Sequence, residues 1–145
     1  MTTKQISVFL ENRPGSLGAF TKILDEHKID MRAMCLADAQ DFGILRLIVD
    51  DVYNTMTVLK DAGYVAQITK VLTIELEDKP GALVRILDCL ASQNVNVEYT
   101  YAFLSRVRDK AYLVIKTADN ERAVDILKEA GIRPVRQDDL ARVFD

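Results

Sequence analysis

A stretch near the start of the chain recurs in its second half. LENRPGSL at residues 10–17 returns as LEDKPGAL at residues 76–83, an offset of 66 (76 − 10). LKDAG at residues 59–63 returns as LKEAG at residues 127–131, an offset of 68 (127 − 59). The change of two places one small insertion between the anchors. Each copy is therefore a unit of roughly 65–70 residues, and the chain holds two of them. A unit that small buries only about 60% of its unfolded surface, so an extensive contact between the copies is expected.

Within a copy the apolar period changes in a fixed order. Ile6, Val8 and Leu10 alternate, as do Leu72, Ile74 and Leu76, the mark of a half-buried strand. Pro14-Gly15 and Pro80-Gly81 break it. Leu17, Phe20, Ile23 and Leu24, and in the other copy Leu83, Ile86, Leu87 and Leu90, then follow helical spacing with one apolar stripe. Residues 29–36 and 95–103 predict a second strand, and 43–49 and 111–117 a third. Asp50-Asp51 and Asp119 read as N-caps of a second helix. Gly63 and Gly131 stand where that helix ends, and a short strand closes each copy at 64–68 and 132–136. The order is βαββαβ twice: an α+β chain of two ferredoxin-like plaits, expected side by side. Residues 1–69 and 70–136 are the two domains, without a linker, and 137–145 is an extension with no counterpart.

Charge narrows the partners. Nineteen basic and 22 acidic residues leave a net charge of −3 without a basic block, which argues against nucleic acid or an anionic membrane surface. No apolar run reaches the roughly 18 residues of a membrane span. The first residues lack an apolar leader core, so a soluble cytoplasmic protein is expected. Cys35 and Cys89 occupy unrelated positions of the repeat and read as small buried hydrophobes in a reducing compartment.

Function must come from a site, because the plait hosts many. The candidate is the turn between first strand and first helix: Asn12, Arg13, Pro14, Gly15, Ser16 and Leu17, repeated as Asp78, Lys79, Pro80, Gly81, Ala82 and Leu83. Proline suits a first helical position. The free N–H groups of Gly15, Ser16 and Leu17 at a helix N-terminus favour an anion such as a carboxylate. Asn12 or Asp78, two residues before each proline, offers an oxygen to an ammonium. An amino acid presents both groups together. The residues leave a second reading open, in which Asn12 and Asp78 only stabilise the turn and Pro-Gly is punctuation.

The strand–(N/D)-(R/K)-P-G-x-L–helix unit, within βαββαβ and ending in helix–A-G–strand, resembles the ACT domain, a small-molecule-sensing module of amino-acid metabolism. LENRPGSL is especially similar to the serine-sensing regulatory domain of phosphoglycerate dehydrogenases. The resemblance implies an effector amino acid held between paired domains by the turn of one and the start of the second strand of the other. It assigns Asn12, Asp78 and the main chain after each proline, with Asp30 and Asn96 as the second-strand contacts. Leu10 and Leu76 stand where that relative has a histidine, which removes one side-chain contact. If each site borrows from the other copy, Asn12 meets Asn96 and Asp78 meets Asp30. Two amides suit a zwitterion and two carboxylates repel, so the Asn12 site is expected to bind better.

Other residues carry less. His27, the one histidine, reads as a helix-end cap or a partly buried core position. Asp38, Asp41, Asp50 and Asp51 are scattered over turns and caps, so no metal or cofactor is implied. Gly18 inside the first helix hints at a close approach there. Tyr99, Tyr101 and Phe103 form a row assigned to packing or to the contact between the copies. An acylphosphatase-like hydrolase would need Arg13 as its catalytic arginine. An RNA-binding plait would need more than Phe42-Gly43-Ile44-Leu45. The reading that results is a sensor and not an enzyme. It binds a free amino acid or similar effector, forms a homo-oligomer such as a dimer, and acts through a separate metabolic enzyme or regulator. A pure interaction or assembly module is the alternative.

Overall fold

A computed structural model describes residues 1–37 and 40–143. Its elements are β1 (Thr3–Glu11), α1 (Ser16–Glu26), β2 (Met31–Ala37), β3 (Phe42–Val49), α2 (Val52–Asp61), β4 (Ala66–Glu77), α3 (Ala82–Ser92), β5 (Val97–Leu104), β6 (Lys110–Thr117), α4 (Asn120–Glu129) and α5 (Gln137–Val143). The chain divides into two compact units, Lys4–Thr69 and the remainder from Lys70 together with Met1–Thr3. Those first residues, expected in the first domain, are held by the second. The Thr3 hydroxyl donates to the Val71 carbonyl at 3.3 Å and meets the Thr73 hydroxyl at 2.8 Å. No linker intervenes, because β4 runs unbroken across the division at Thr69/Lys70.

In the first unit the strands lie in the order β2-β3-β1, followed by the start of β4. β1 and β2 both pair antiparallel with β3. Ile6, Val8 and Leu10 share one face with Leu45, Leu47 and Val49, and α1 and α2 close that face with Phe20, Leu24, Val58 and Leu59. The second unit repeats this as β5-β6-β4. Leu72, Ile74, Leu113 and Ile115 meet Ile86 and Leu90 of α3 and Ala123, Val124 and Leu127 of α4. Each fully buried Leu or Ile contributes about 1.5–3 kcal/mol of transfer free energy, so these two clusters carry most of each unit's stability.

The punctuation acts as its chemistry dictates. Asp51 and Asp119 cap α2 and α4, accepting from the Asn54 and Arg122 N–H groups at 3.1 Å. Asp50 instead accepts from the N–H groups of Asp30 and Asp51. Gly63 and Gly131 are left-handed at φ 86° and 78°. Behind them Tyr64 N–H reaches the Leu59 carbonyl and Ile132 N–H the Leu127 carbonyl, at 2.9 and 2.8 Å, the hydrogen bond that closes a Schellman end.

Three expectations need correction. The strand predicted at 132–136 is only an isolated bridge of Pro134 to Ile74, with the Val135 N–H on the Thr73 carbonyl at 2.7 Å. Proline lacks the N–H that a continuing ladder needs, and α5 begins at Gln137. That helix was not anticipated within the extension; Leu140 in it is buried. No described residue presses on Gly18, since a Cβ built there meets none of their atoms within 4 Å. The cysteines are half-buried rather than buried, Cys89 with its thiol 3.9 Å from the Ile126 carbonyl.

Candidate functional site: the two strand–helix turns

Pro14 and Pro80 do not occupy the first helical position. Gly15 and Gly81 are the N-caps, left-handed at φ 84° and 90°, and the helices begin at Ser16 and Ala82. The Ser16 N–H donates to the Arg13 carbonyl at 3.2 Å and the Ala82 N–H to the Lys79 carbonyl at 3.3 Å. These are type II turns, with proline at the second position and glycine at the third, where positive φ is required. Proline pre-sets its own φ, and glycine alone adopts the next conformation without strain. The motif therefore encodes a turn placed before the helix.

The turn changes the count of free donors. The Ser16 and Ala82 N–H groups, expected to face a ligand, are spent on it. The Ala19 and Arg85 N–H groups donate to the Gly15 and Gly81 carbonyls at 2.9 and 3.4 Å. Between them, the N–H groups of Leu17 and Gly18, and of Leu83 and Val84, have no partner among the described residues. Neither helix has a side-chain N-cap or an acidic residue in its first turn. The positive end of each helix dipole is thus left without a compensating charge of its own.

Beside the first turn lies a hollow of about 330 Å³, bordered by Leu10, Asn12, Ser16, Leu17, Leu36 and Ala37, with Glu11, Arg13 and Gly43. Leu36, Ala37 and Gly43 are site residues that the sequence reading missed. The antiparallel order brings the end of β2 to the end of β1, with Ala37 opposite Ile44 and Glu11 opposite Phe42; that signal was available in the βαββ order itself. A Cβ on Gly43 would meet Leu36 and the Ala37 carbonyl at 3.1 and 3.2 Å, so glycine keeps this wall tight. A hollow beside the second turn, about 440 Å³, is bordered by Glu77, Asp78, Lys79, Asp109 and Lys110, all charged.

The two polar anchors also differ. The Asn12 side-chain amide donates to the Gln40 carbonyl at 3.1 Å, and the Asn12 N–H to the Asp41 carbonyl at 2.8 Å. Asn12 therefore ties the turn to the approach to β3 through its amide nitrogen. Asp78 keeps the main-chain contact, to the Asp109 carbonyl at 2.8 Å, but its carboxylate has no partner among the described residues. Arg13 pairs with Glu11 at 2.8 Å and Lys79 with Glu77 at 2.5 Å, both on the surface. Lys79 beside Glu77 holds that carboxyl below the ordinary carboxylate range.

Neither second-strand residue joins the turn of its own unit. Asp30 precedes β2, whose Met31 lies opposite Val49, and Asn96 precedes β5, whose Val97 lies opposite Thr117. Both stand at the far end of the sheet, roughly 20 Å away at about 3.3 Å per residue. Asp30 is engaged there with Arg32 at 3.0 Å.

His27 caps α1, its Nδ1 at 2.9 Å from the Ile23 carbonyl. Among the described residues no group of His, Cys, Asp or Glu is placed to hold a metal ion; Asp38 lies outside them. Phe103 stacks on Tyr112 with ring centroids 5.2 Å apart, which accounts for one member of the aromatic row by packing.

The plait with its glycine-capped first helix is built twice in the chain. The chain belongs to the ACT domain pair family, whose model matches residues 1–144. It is similar to protein BT0572 from Bacteroides thetaiotaomicron, a crystal structure 36% identical, with 98% of this chain and 97% of that one covered at a TM-score of 0.90. The fold is shared with the ligand-free regulatory subunit of aspartate kinase from Thermus thermophilus, 15% identical, covering 88% of this chain and 91% of that one at a TM-score of 0.59. No curated protein matches the chain. Among the described residues no helix is long and apolar enough to cross a membrane.

Proposed function

We propose that the chain is a regulatory protein that binds a free amino acid or a similar small effector at its β1–α1 turn. The observation that carries this reading is the Leu17 N–H, unpartnered among the described residues, on a hollow of about 330 Å³, with the Gly18 N–H next along the helix. Small-molecule sites begin near about 300 Å³, and main-chain donors at a helix N-terminus complement a carboxylate. Leu10, Leu17, Leu36 and Ala37 supply an apolar wall for a side chain. The second turn keeps the donors, but the Asp78 and Asp109 carboxylates border its hollow and repel a ligand's own carboxylate, so the first turn is the tighter site.

Catalysis is not part of the proposal. The titratable side chains on the first hollow are Glu11 and Arg13, already paired with each other, which leaves no nucleophile with a base beside it. A sensor without chemistry acts through a separate enzyme or regulator, or through its own assembly as a homodimer, by differential affinity for two states. Aspartate kinase regulatory subunits built on this fold support that arrangement.

A thermal-shift screen against the twenty amino acids tests the proposal. A ligand at 100 times its dissociation constant adds about 2.7 kcal/mol, a shift of several degrees for a chain of this size. A flat response to all twenty removes the amino-acid reading. Calorimetry on Asn12→Ala and Asp78→Ala then tests the inequality of the turns. The Asn12 variant is expected to lose more affinity, and equal losses contradict it.

A further inference from the structure

Each turn borders a second hollow, closed by the residues around the glycine that ends the second helix of its unit, Gly63 after α2 and Gly131 after α4. In the first unit this hollow is about 320 Å³, and Phe9, Ala19, Phe42 and Val65 line it. In the second it is about 610 Å³, and the four equivalent positions hold Glu75, Arg85, Lys110 and Arg133. The equivalences follow the repeat, at offset 66 for the first two and 68 for the others. Every one of these apolar positions has become charged.

The charges do not cancel. Lys79, Arg85, Lys110 and Arg133 face Glu75 and Glu77, a surplus of two positive charges (4 − 2). Lys79 is matched by Glu77 at 2.5 Å and Lys110 by Glu75 at 3.7 Å. The surplus therefore rests on the two arginines. Arg85 is fixed by donating to the Ala130 carbonyl at 3.0 Å. Arg133 makes no hydrogen bond or ion pair among the described residues. Gly81 and Ala82, at the positive end of α3, border the same hollow. Like charges gathered in one cleft repel, and the cleft focuses their field. Guanidinium groups present planar forks of donors that match carboxylate and phosphate oxygens.

We infer that this hollow in the second unit, walled by Arg85 and Arg133, is a binding site for a ligand carrying a dianionic group, a phosphate ester or a dicarboxylate. The first unit has no equivalent, because its matching walls are apolar. The site is separate from the amino-acid site proposed at Leu17 and Gly18 and does not depend on it.

Calorimetric titration of the full chain with inorganic phosphate and with succinate, against sodium chloride at equal ionic strength, tests the assignment. Saturable binding of at least one dianion is expected, weakening as salt is raised. Phosphate alone assigns a phosphate ester, and succinate alone assigns a dicarboxylate. Arg133→Gln, which removes no internal contact, is expected to weaken binding about tenfold or more while leaving the melting temperature of the free protein unchanged or slightly raised. Lys22→Gln, exposed on α1 and away from every hollow described above, is expected to leave dianion binding as it was. No saturable heat above the chloride control, or an Arg133→Gln protein that binds as tightly as the original, overturns the inference.

Discussion

The turn after β1 and the turn after the β1-like half of β4 share a backbone and differ in the charge of the residues packed beside it. Gly15 and Gly81 sit within a few degrees of one another, at φ 84° and 90°, and each turn is closed by the same hydrogen bond. Around that frame the first unit offers Phe9, Ala19, Phe42 and Val65, and at the equivalent positions the second offers Glu75, Arg85, Lys110 and Arg133. Proline and glycine fix dihedral angles locally, so a duplicated motif reproduces its main-chain donors wherever it lies. Wall residues come from other strands and helices and are free to diverge. The pair teaches that a shared backbone frame can stand among separately varied side chains.

Four perturbations sharpen or break this comparison. The largest effect falls on the matched core leucines Leu59 and Leu127, both fully buried. Leu59→Ala and Leu127→Ala should each cost about 2–5 kcal/mol in urea unfolding. A cost below 1 kcal/mol at either position contradicts the equivalence of the two cores. Next are Gly15→Ala and Gly81→Ala. A Cβ meets nothing within 4 Å at either glycine, so the penalty is conformational alone, about 1–2 kcal/mol, and should be equal in the two units. Unequal penalties from the same assay break the claim of a common frame.

Gly18→Ala goes the other way. The space is open and copy two already carries Val84 there, so a gain of up to about 1 kcal/mol is expected, read as a higher melting temperature. The smallest effects are in pH. Burial and the Glu75 carboxylate raise the Tyr112 phenol above its ordinary value of 10.0. Its contribution to stability is therefore complete below pH 10 and lost as pH rises through the folded value; phenolate absorbance should show one tyrosine titrating late. Glu77 is lowered from 4.5 by Lys79. Its contribution is present above that value and lost as pH falls through the folded one. Lys79→Gln should return Glu77 toward 4.5, by carboxyl chemical shift, with little change in stability because the pair is exposed.

Most of the plait was legible because its signals are local. Alternation at Ile6, Val8 and Leu10, helical spacing at Phe20 and Leu24, and caps at Asp51, Asp119, Gly63 and Gly131 all appear where the residues place them. The misreadings share a different origin. Pro14 is as acceptable in a type II turn as at a helix start, and only the φ of Gly15 separates the two. Pro134 lies in a segment with strand composition, yet its missing N–H leaves a single bridge. Leu36, Ala37 and Gly43 were not legible as neighbours of the first turn, because they reach its hollow through strand register. Arg85 and Arg133 stand 48 residues apart (133 − 85), and nothing short of the folded unit sets them around one hollow.

The account rests on main-chain donors left free at the start of α1. Two-dimensional 15N–1H spectra of the full chain, recorded while titrating the amino acid that most raises its melting temperature, observe those donors directly. The account predicts that the Leu17 and Gly18 amide resonances shift first and furthest, with Leu83 and Val84 following at higher concentration. Binding that leaves all four amides unmoved contradicts it.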